Sequence, residues 1–293
     1  MEAVCGGKSW DVAIAYEDGE PVGVMPYHYG RKYGLTYILQ PQLTQYSGPV
    51  YFYPEGLSEC QRLEFEKQVA KELLSQVEAL KPSIFIQHFS PEITNWLPFY
   101  WAGYSQSTRY TYRIDNITDL DRVFGSFDSE KRQRKIRRYK NCTTVRFDMQ
   151  PSDFATFHAS YWNGKGKTDL ISTEMIVRVC DEAVARGNGV IASLHDEQEQ
   201  LLAARFVAYD SRCAYALMSA VDNNLHRSGH NETLIWALLN YLKDKTRSFD
   251  FEGSMDEGIE YFYRSFGTTQ VPFFQITKFS PPLLRFLFRH SII

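Results

Sequence analysis

Residues 247–279, RSFDFEGSMDEGIEYFYRSFGTTQVPFFQITKF, decide the fold, because a strand, an acidic turn, an aromatic helix, a glycine stop and a final strand follow one another within them. Ser248 to Phe251 is a short run with aromatics at Phe249 and Phe251 that suits a buried strand, and Gly253 breaks it directly after Asp250 and Glu252. Two carboxylates therefore sit at a strand's C-terminal end. Ile259, Phe262, Tyr263 and Phe266 then recur at helical spacing, Gly267 stops the helix, and residues 271–279 read as a strand again. Strand ends that open onto turns are where α/β proteins place chemistry.

Upstream, the same alternation of strands and helices continues. Residues 11–16 and 22–27 flank an Asp18-Gly19 hairpin turn. Residues 35–39 and 48–53 are further strands, and residues 58–80 form a long helix that begins on Ser58 and is ended by Pro82. A strand at 83–89, a helix at 91–101 and a strand at 108–114 complete a first unit, residues 1–115. The second unit, 116–293, begins with helices at 120–127 and 129–140. A strand at 143–149 and helices at 152–163 and 173–185 follow. A hairpin at 190–195 and 201–209, a strand at 213–221 and a helix at 232–245 lead into the closing segment. No low-complexity linker separates the two. The expected class is α/β (α+β), with each unit a mixed, mostly antiparallel sheet flanked by helices.

Composition narrows the function classes. With 44% hydrophobic and 15% aromatic residues the chain can fill packed cores. A net charge of −3 argues against general nucleic-acid binding, and no DNA partner is expected. Five scattered cysteines without a CxxC pair suggest a reducing cytoplasm and neither a disulfide framework nor a zinc site. His28, His88, His158 and His195 lack metal-ligand spacing, so no metal is expected. No signal segment or membrane span is evident, and cytoplasmic location is the expectation. The apolar, basic tail at 281–290 suits packing on the protein or, at most, peripheral contact with a membrane surface.

The element order of the second unit resembles that of a GNAT acyltransferase, and two such units in tandem resemble the Fem-like transferases, which include FemAB and FemX aminoacyltransferases and related bacterial acetyltransferase-like proteins. The segment DFEGSMDEGIEYFYRSFG carries the likeness most specifically. Here a strand ending in an acidic residue and glycine precedes a helix with Tyr263, Arg264, Phe266 and Gly267. The likeness spans nearly the whole chain and is strongest after Lys131. Such proteins usually carry a further strand and helix before the first hairpin. The first unit is therefore expected to lack them, with residues 1–4 as a remnant helix stopped by Gly6-Gly7.

The resemblance implies an N-acyltransferase that uses acyl-CoA or aminoacyl-tRNA as donor and a small-molecule or cell-wall-precursor amine as acceptor, the acceptor lying in a cleft between the units. It places the donor phosphates at the loop 226–231, HRSGHN, where Arg227, Gly229, His230 and Asn231 are the binding candidates. Backbone N–H groups at a helix N-terminus form a general anion site. This loop departs from the superfamily's Arg-x-x-Gly-x-Gly/Ala, and Asn231 could equally cap the next helix. Of the two carboxylates only one is expected to face the cleft. Glu252 is the candidate to position the amine or accept its proton, Asp250 the alternative, with helix capping or an ion pair to Arg264 as the plain reading. Arg264 and Tyr263 are substrate-binding candidates, although Arg264 could form an ordinary surface pair. Residues 129–140, SEKRQRKIRRYK, hold seven basic residues. The resemblance sets this helix beside the substrate region, with Arg134 and Arg138 as anion ligands and tRNA as a partner. A solvated face is the alternative. Tyr46, in Tyr46-Ser47-Gly48, resembles an aromatic-glycine turn beside the family's cleft, or else belongs to an aromatic core. Direct attack by the amine is expected, since no cysteine has a base-paired context. Two rival readings are a catalytically inactive GNAT-fold binding module and an RNA-associated protein that uses the basic helix.

Overall fold

The computed structural model describes residues 1–7, 9–167, 169–225, 227, 229–253, 255–282 and 284. It divides into two compact units, Met1–Arg109 with Pro272–Ile293, and Tyr110–Val271. This differs from the expected division at residue 115, and the reason is strand pairing. Arg113 and Ile114 pair with Asp250 and Phe249 of the second unit. Residues 275–279 pair instead with residues 84–88 of the first. Hydrogen-bonded ladders, not chain order, thus set the boundary.

In the first unit a short helix α1 (Glu2–Cys5) precedes β1 (Trp10–Glu17) and β2 (Glu20–Lys32). Their two-residue turn puts Asp18 at φ 50° and Gly19 at φ 86°, the left-handed pair that a tight hairpin requires. Tyr33 and Gly34 repeat the device between β2 and β3 (Leu35–Leu39). The expected strand at 48–53 shrinks to β4 (Val50–Tyr51). Helix α2 (Glu59–Ala79) starts from a capping box in which Ser58 and Gln61 satisfy each other's backbone N–H. It crosses over to β5 (Ile84–His88), which runs parallel to β3 with Tyr37 opposite Ile84. Val69, Ala70, Leu73, Leu74 and Val77 line one stripe of α2 and bury against Ala13, Met25, Ile38 and Phe85. Helix α3 (Leu97–Trp101) is shorter than the expected 91–101, and β6 (Ser105–Ile114) follows.

The second unit begins with α4 (Leu120–Ser126). The expected single helix over 129–140 is a π-helical turn, Ser129–Gln133, continuing into α5 (Arg134–Tyr139). Next come β7 (Thr144–Arg146), α6 (Pro151–Gly164), α7 (Thr173–Ala185), β8 (Gly189–His195), β9 (Leu201–Tyr209) and β10 (Cys213–Val221). Helix α8 (His230–Leu242) crosses over to β11 (Ser248–Asp250), and α9 (Glu257–Arg264) and β12 (Thr269–Phe279) close the chain. Neighbouring strands from β7 to β10 are antiparallel, whereas β10 and β11 are parallel. The parallel pairing covers only Cys213–Tyr215 against Ser248–Asp250, and β10 then runs on to Val221. A bulge between Tyr215 and Met218 marks where it turns away. The sheet therefore opens where β11 ends, beside Asp250 and Glu252. Leu234, Ile235, Leu238 and Leu239 of α8 pack over this sheet with Phe249, Phe251 and Phe266.

Both units are mixed α/β, mostly antiparallel and flanked by helices. Among the described residues no helix is long and apolar enough to cross a membrane. Most of the tail at 281–290 lies outside the described residues. Leu73 has no exposed surface, so Leu73→Ala is expected to lower the stability of the first unit by about 2–5 kcal/mol. Leu63→Ala on the exposed face of the same helix should change it by less than about 0.5 kcal/mol, both read by denaturant unfolding.

Candidate functional site

The first cluster forms around the N-terminus of α8. Gly229 is the helix's N-cap at φ 120°, a conformation open to glycine. A Cβ on it would meet the ring of Tyr139 at 2.5 Å, so α5 can approach the α8 terminus this closely only at a glycine. The ring of His230 packs edge-on against Tyr139 at 4.8 Å. The Arg227 backbone N–H donates to His230 Nδ1 at 3.1 Å, and its Nη1 donates to the Asn224 carbonyl at 2.9 Å. Arg134, Lys135, Arg138, Tyr139 and Arg227 together line a recess of about 600 Å³. The fold thus brings Arg227, Arg134 and Arg138, distant in sequence, to one basic hollow. His226 and Ser228 of the same loop lie outside the described residues.

Asn231 is not the cap. The helix starts two residues before the expected position, which places Asn231 inside its first turn, where Oδ1 is buried without a hydrogen-bond partner. Capping falls to Glu232, whose Oε2 accepts the Gly229 N–H at 3.0 Å. Its Oε1 accepts from Arg132 Nη1 at 2.7 Å and from Lys135 Nζ at 3.2 Å. Arg132 is buried as well. It also donates through Nε to Ser265 Oγ at 2.6 Å and lies 4.5 Å over the Phe262 ring. The basic segment is therefore not uniformly solvated. Arg132 turns inward as a structural clamp, Arg134 lies outward beside Glu130 at 3.0 Å, and Lys135 sits between. The π-helical turn changes the rotation per residue and so permits this split, and such turns concentrate at functional sites.

The second cluster forms where β11 ends. Residues two apart on a regular strand share a face, but Glu252 escapes that rule by adopting φ 56° just beyond the strand. Asp250 is fully buried, and its Oδ1 accepts from Thr111 Oγ1 and from the Glu252 N–H at 2.8 Å. The Gly253 N–H in turn donates to Thr111 Oγ1 at 2.9 Å, and a Cβ on Gly253 would fall 1.9 Å from the Tyr110 carbonyl. Asp250 is thus the brace of the turn. Glu252 is the group it presents. The residue as a whole is partly exposed, yet carboxyl Oε1 is sealed from solvent without a hydrogen-bond partner. Burial, with the charge of Asp250 second, pushes this carboxyl up to about 8. A carboxyl poised near neutrality beside a sheet opening is suited to proton transfer.

Tyr263 packs on Phe251 with ring centroids 5.1 Å apart. Burial raises its hydroxyl above the usual tyrosine range, Arg205 pulls it back down, and Glu252 and Asp250 push it further up. Arg205 is a member of this cluster that the amino-acid pattern does not reveal. It lies in β9 between Ala203 and Val207, both core residues, and its Nε is buried without a partner. Burial holds its guanidinium below the usual arginine range, opposed by the nearby Tyr263. A lone arginine in the run LLAARFVAY was the available signal, since a strand buried on both faces has no ordinary place for a cation.

Two further candidates make local contacts of their own. Arg264 is exposed and pairs with Glu260 at 2.9 Å, the ordinary surface pair rather than a contact with Glu252. Tyr46 lies in the first unit, edge-on to Phe273 at 5.3 Å, and its hydroxyl accepts from Gln45 Nε2 at 3.0 Å. Ser47 bridges to Phe89, and Gly48, at φ 92°, lies against the Phe89 ring. An aromatic-core role thus accounts for the Tyr46 turn.

Removing one partner of the Arg132–Glu232 pair strands a buried charge, so Arg132→Ala should cost about 3–5 kcal/mol. Arg132→Met combined with Glu232→Met should cost much less, and denaturant titration distinguishes them. For Glu252 the folded carboxyl, near 8, holds its proton where the unfolded one, at about 4.3, has lost it. Its neutral form therefore favours the fold at low pH, and that contribution is lost as pH rises to about 8. Glu252→Gln should match the wild type near pH 5 and become relatively more stable toward pH 9 in thermal unfolding.

Residues 129–263 match the family described as "Acetyltransferase (GNAT) domain". No curated protein matches the chain by sequence. Among solved structures, that of FemX is similar with a TM-score of 0.68 at 14% identity, covering 91% of this chain and 88% of FemX. L-PGS from Bacillus licheniformis is similar with a TM-score of 0.58 at 13% identity, over 92% of this chain and 84% of that one. A tandem GNAT protein from the clavulanic acid biosynthesis pathway gives 0.55 at 9% identity, over 93% and 83%. At these identities the likeness is one of fold, and both clusters of the second unit fall largely within the matched residues. Residues 129–263 thus match an acetyltransferase (GNAT) domain model, and the chain shares its fold with FemX and these other solved structures.

Proposed function

We propose that this chain is an N-acyltransferase that moves an acyl or aminoacyl group from a phosphate-bearing donor, acyl-CoA or aminoacyl-tRNA, to an amine, with a cell-wall precursor as the acceptor to test first. The observation that carries the reading is the recess in which Arg134, Lys135, Arg138 and Arg227 converge beside the N-terminus of α8. Four cations at a helix start match a di- or polyphosphate better than a neutral ligand. Acyl-CoA carries a diphosphate and aminoacyl-tRNA a run of backbone phosphodiesters, so either donor could supply the anion.

The chemistry asks for a base that can deprotonate an ammonium, and Glu252, near 8, meets that demand close to neutral pH. In the proposed step the amine nitrogen bonds to the acyl carbon, the C–S or C–O bond to the donor breaks, and Glu252 takes the amine proton. In this reading Tyr263, whose buried hydroxyl retains its proton, returns one to the leaving sulfur or oxygen. A covalent acyl-enzyme is disfavoured, because burial pushes the Cys213 thiol up to about 11 and the Cys180 thiol up to about 12. One observation favours a second reading, a catalytically inactive binding module: Glu232 already caps α8 and takes up charge from Arg132 and Lys135.

Turnover of amines with acyl-CoA species and charged tRNA separates the two. For an enzyme, Glu252→Gln should lower kcat by about 10²–10⁴-fold, and wild-type activity should climb as pH approaches about 8. Arg138→Ala or Arg227→Ala should raise the donor KM about tenfold with kcat largely kept, a loss of about 1.4 kcal/mol. Donor binding without transfer to any amine supports the module instead, and tRNA binding that ignores salt removes the tRNA donor.

A further inference from the structure

The first unit contains a cavity that the transferase reading does not use. Its volume is about 670 Å³, within the range of small-molecule sites. The cavity lies on the sheet face opposite α2. Ile38 and Phe85 point to the α2 core, so alternation turns Tyr37 and Leu39 of β3, and Ile84 and Ile86 of β5, to the other side. These four form its apolar floor.

The register gives the floor a direction. Ile84 lies beside Tyr37 on one flank, and on the other His88 lies opposite Gln275 of β12. His88 is four residues along β5 from Ile84, or about 13 Å at strand rise. Polar groups collect at the His88 end. Arg109 Nη1 donates to Gln275 Oε1 at 3.0 Å, and the His88 N–H donates to Gln40 Oε1 at 2.8 Å. Gln40 is held in turn by Ser47 Oγ, which donates to its Oε1 at 2.7 Å, and by its own donation to the Thr44 carbonyl at 2.7 Å. Arg109 is half-buried there, and burial, more than the Arg109 charge, lowers His88 to about 4, so the imidazole is neutral and the guanidinium supplies the positive charge. Lys32 adds a cation at the exposed rim.

We infer that this cavity binds an amphipathic anion, a carboxylate or phosphate monoester on an aliphatic body, with the anionic head on Arg109 and the body along Tyr37, Leu39, Ile84 and Ile86. A partly desolvated guanidinium with a rigid amide beside it favours an oxyanion over a neutral head. The apolar floor excludes small inorganic anions as sufficient ligands. The site stands on the first unit alone and does not rest on the acyl-transfer reading.

Decanoate, decyl phosphate and decanol titrated calorimetrically into the full-length protein test the inference. One or both anions should bind saturably and at least about tenfold tighter than decanol, which equals about 1.4 kcal/mol. The ratio of decanoate to decyl phosphate identifies the head group. Arg109→Gln should erase the preference over decanol. Leu39→Glu, on the half-buried floor, should weaken both anions at least about tenfold while leaving the circular-dichroism spectrum unchanged, which keeps the test decisive if Arg109→Gln does not fold. Decanol binding as tightly as the anions, no saturable binding of either anion, or full binding by Leu39→Glu would each overturn it.

Discussion

The buried pair between Arg132 and Glu232 is the interaction on which the second unit's candidate site depends. With side chains 5% and 4% exposed, both charges have left water. Such a pair is tolerable only where additional hydrogen bonds satisfy what the pair leaves over. Here they do: Glu232 also takes the Gly229 N–H, Arg132 also reaches Ser265, and aromatic faces cover the guanidinium. One ion pair therefore joins the π-helical turn, the start of α8 and the end of α9. The geometry of the basic recess follows from it, since Arg134, Lys135 and Arg138 are carried by the same short helical segment that Arg132 anchors. Glycine at 229 completes the arrangement by letting the Tyr139 ring approach the cap.

The turn after β11 works by a comparable constraint on a smaller scale. Asp250 and Thr111 hold the backbone of Glu252 and Gly253, and the positive φ at Glu252 is sustained by those bonds. The bonds engage Asp250 Oδ1 and leave Glu252 Oε1 buried without a hydrogen-bond partner. A carboxyl so placed titrates well above its ordinary range, so near neutral pH it can both take and release a proton. Tyr263 and Arg205 add a hydroxyl and a buried cation to the same neighbourhood.

Much of this was legible in the residues. The hairpin at Asp18-Gly19, the Ser58 start of α2, the helix through Ile259 and Tyr263, and the crossover from β10 through α8 to β11 all follow from local rules of turn, cap and periodicity. Glu252 and Arg227 stood out by their place at a strand end and before a helix. Less legible were features that depend on a partner remote in sequence. Asn231 and Gly229 are both acceptable helix caps locally, and only Tyr139 against Gly229 and the reach of Glu232 decide between them. Arg205 sits within an apolar strand, and no local pattern names what it faces. Arg264 stands beside a promising motif, yet its neighbour Glu260, one turn away, holds it.

The sequence by itself determined the order and type of the elements and the α/β class, because turns, caps and hydrophobic period act over a few residues. Tertiary structure decided which of seven like-charged side chains would be buried, which carboxylate would brace and which would be left unpaired, and to which unit each closing strand would belong. Those outcomes depend on ion pairing, desolvation and strand ladders between segments a hundred or more residues apart, as Arg132 and Glu232 are, and no local pattern encodes such distances.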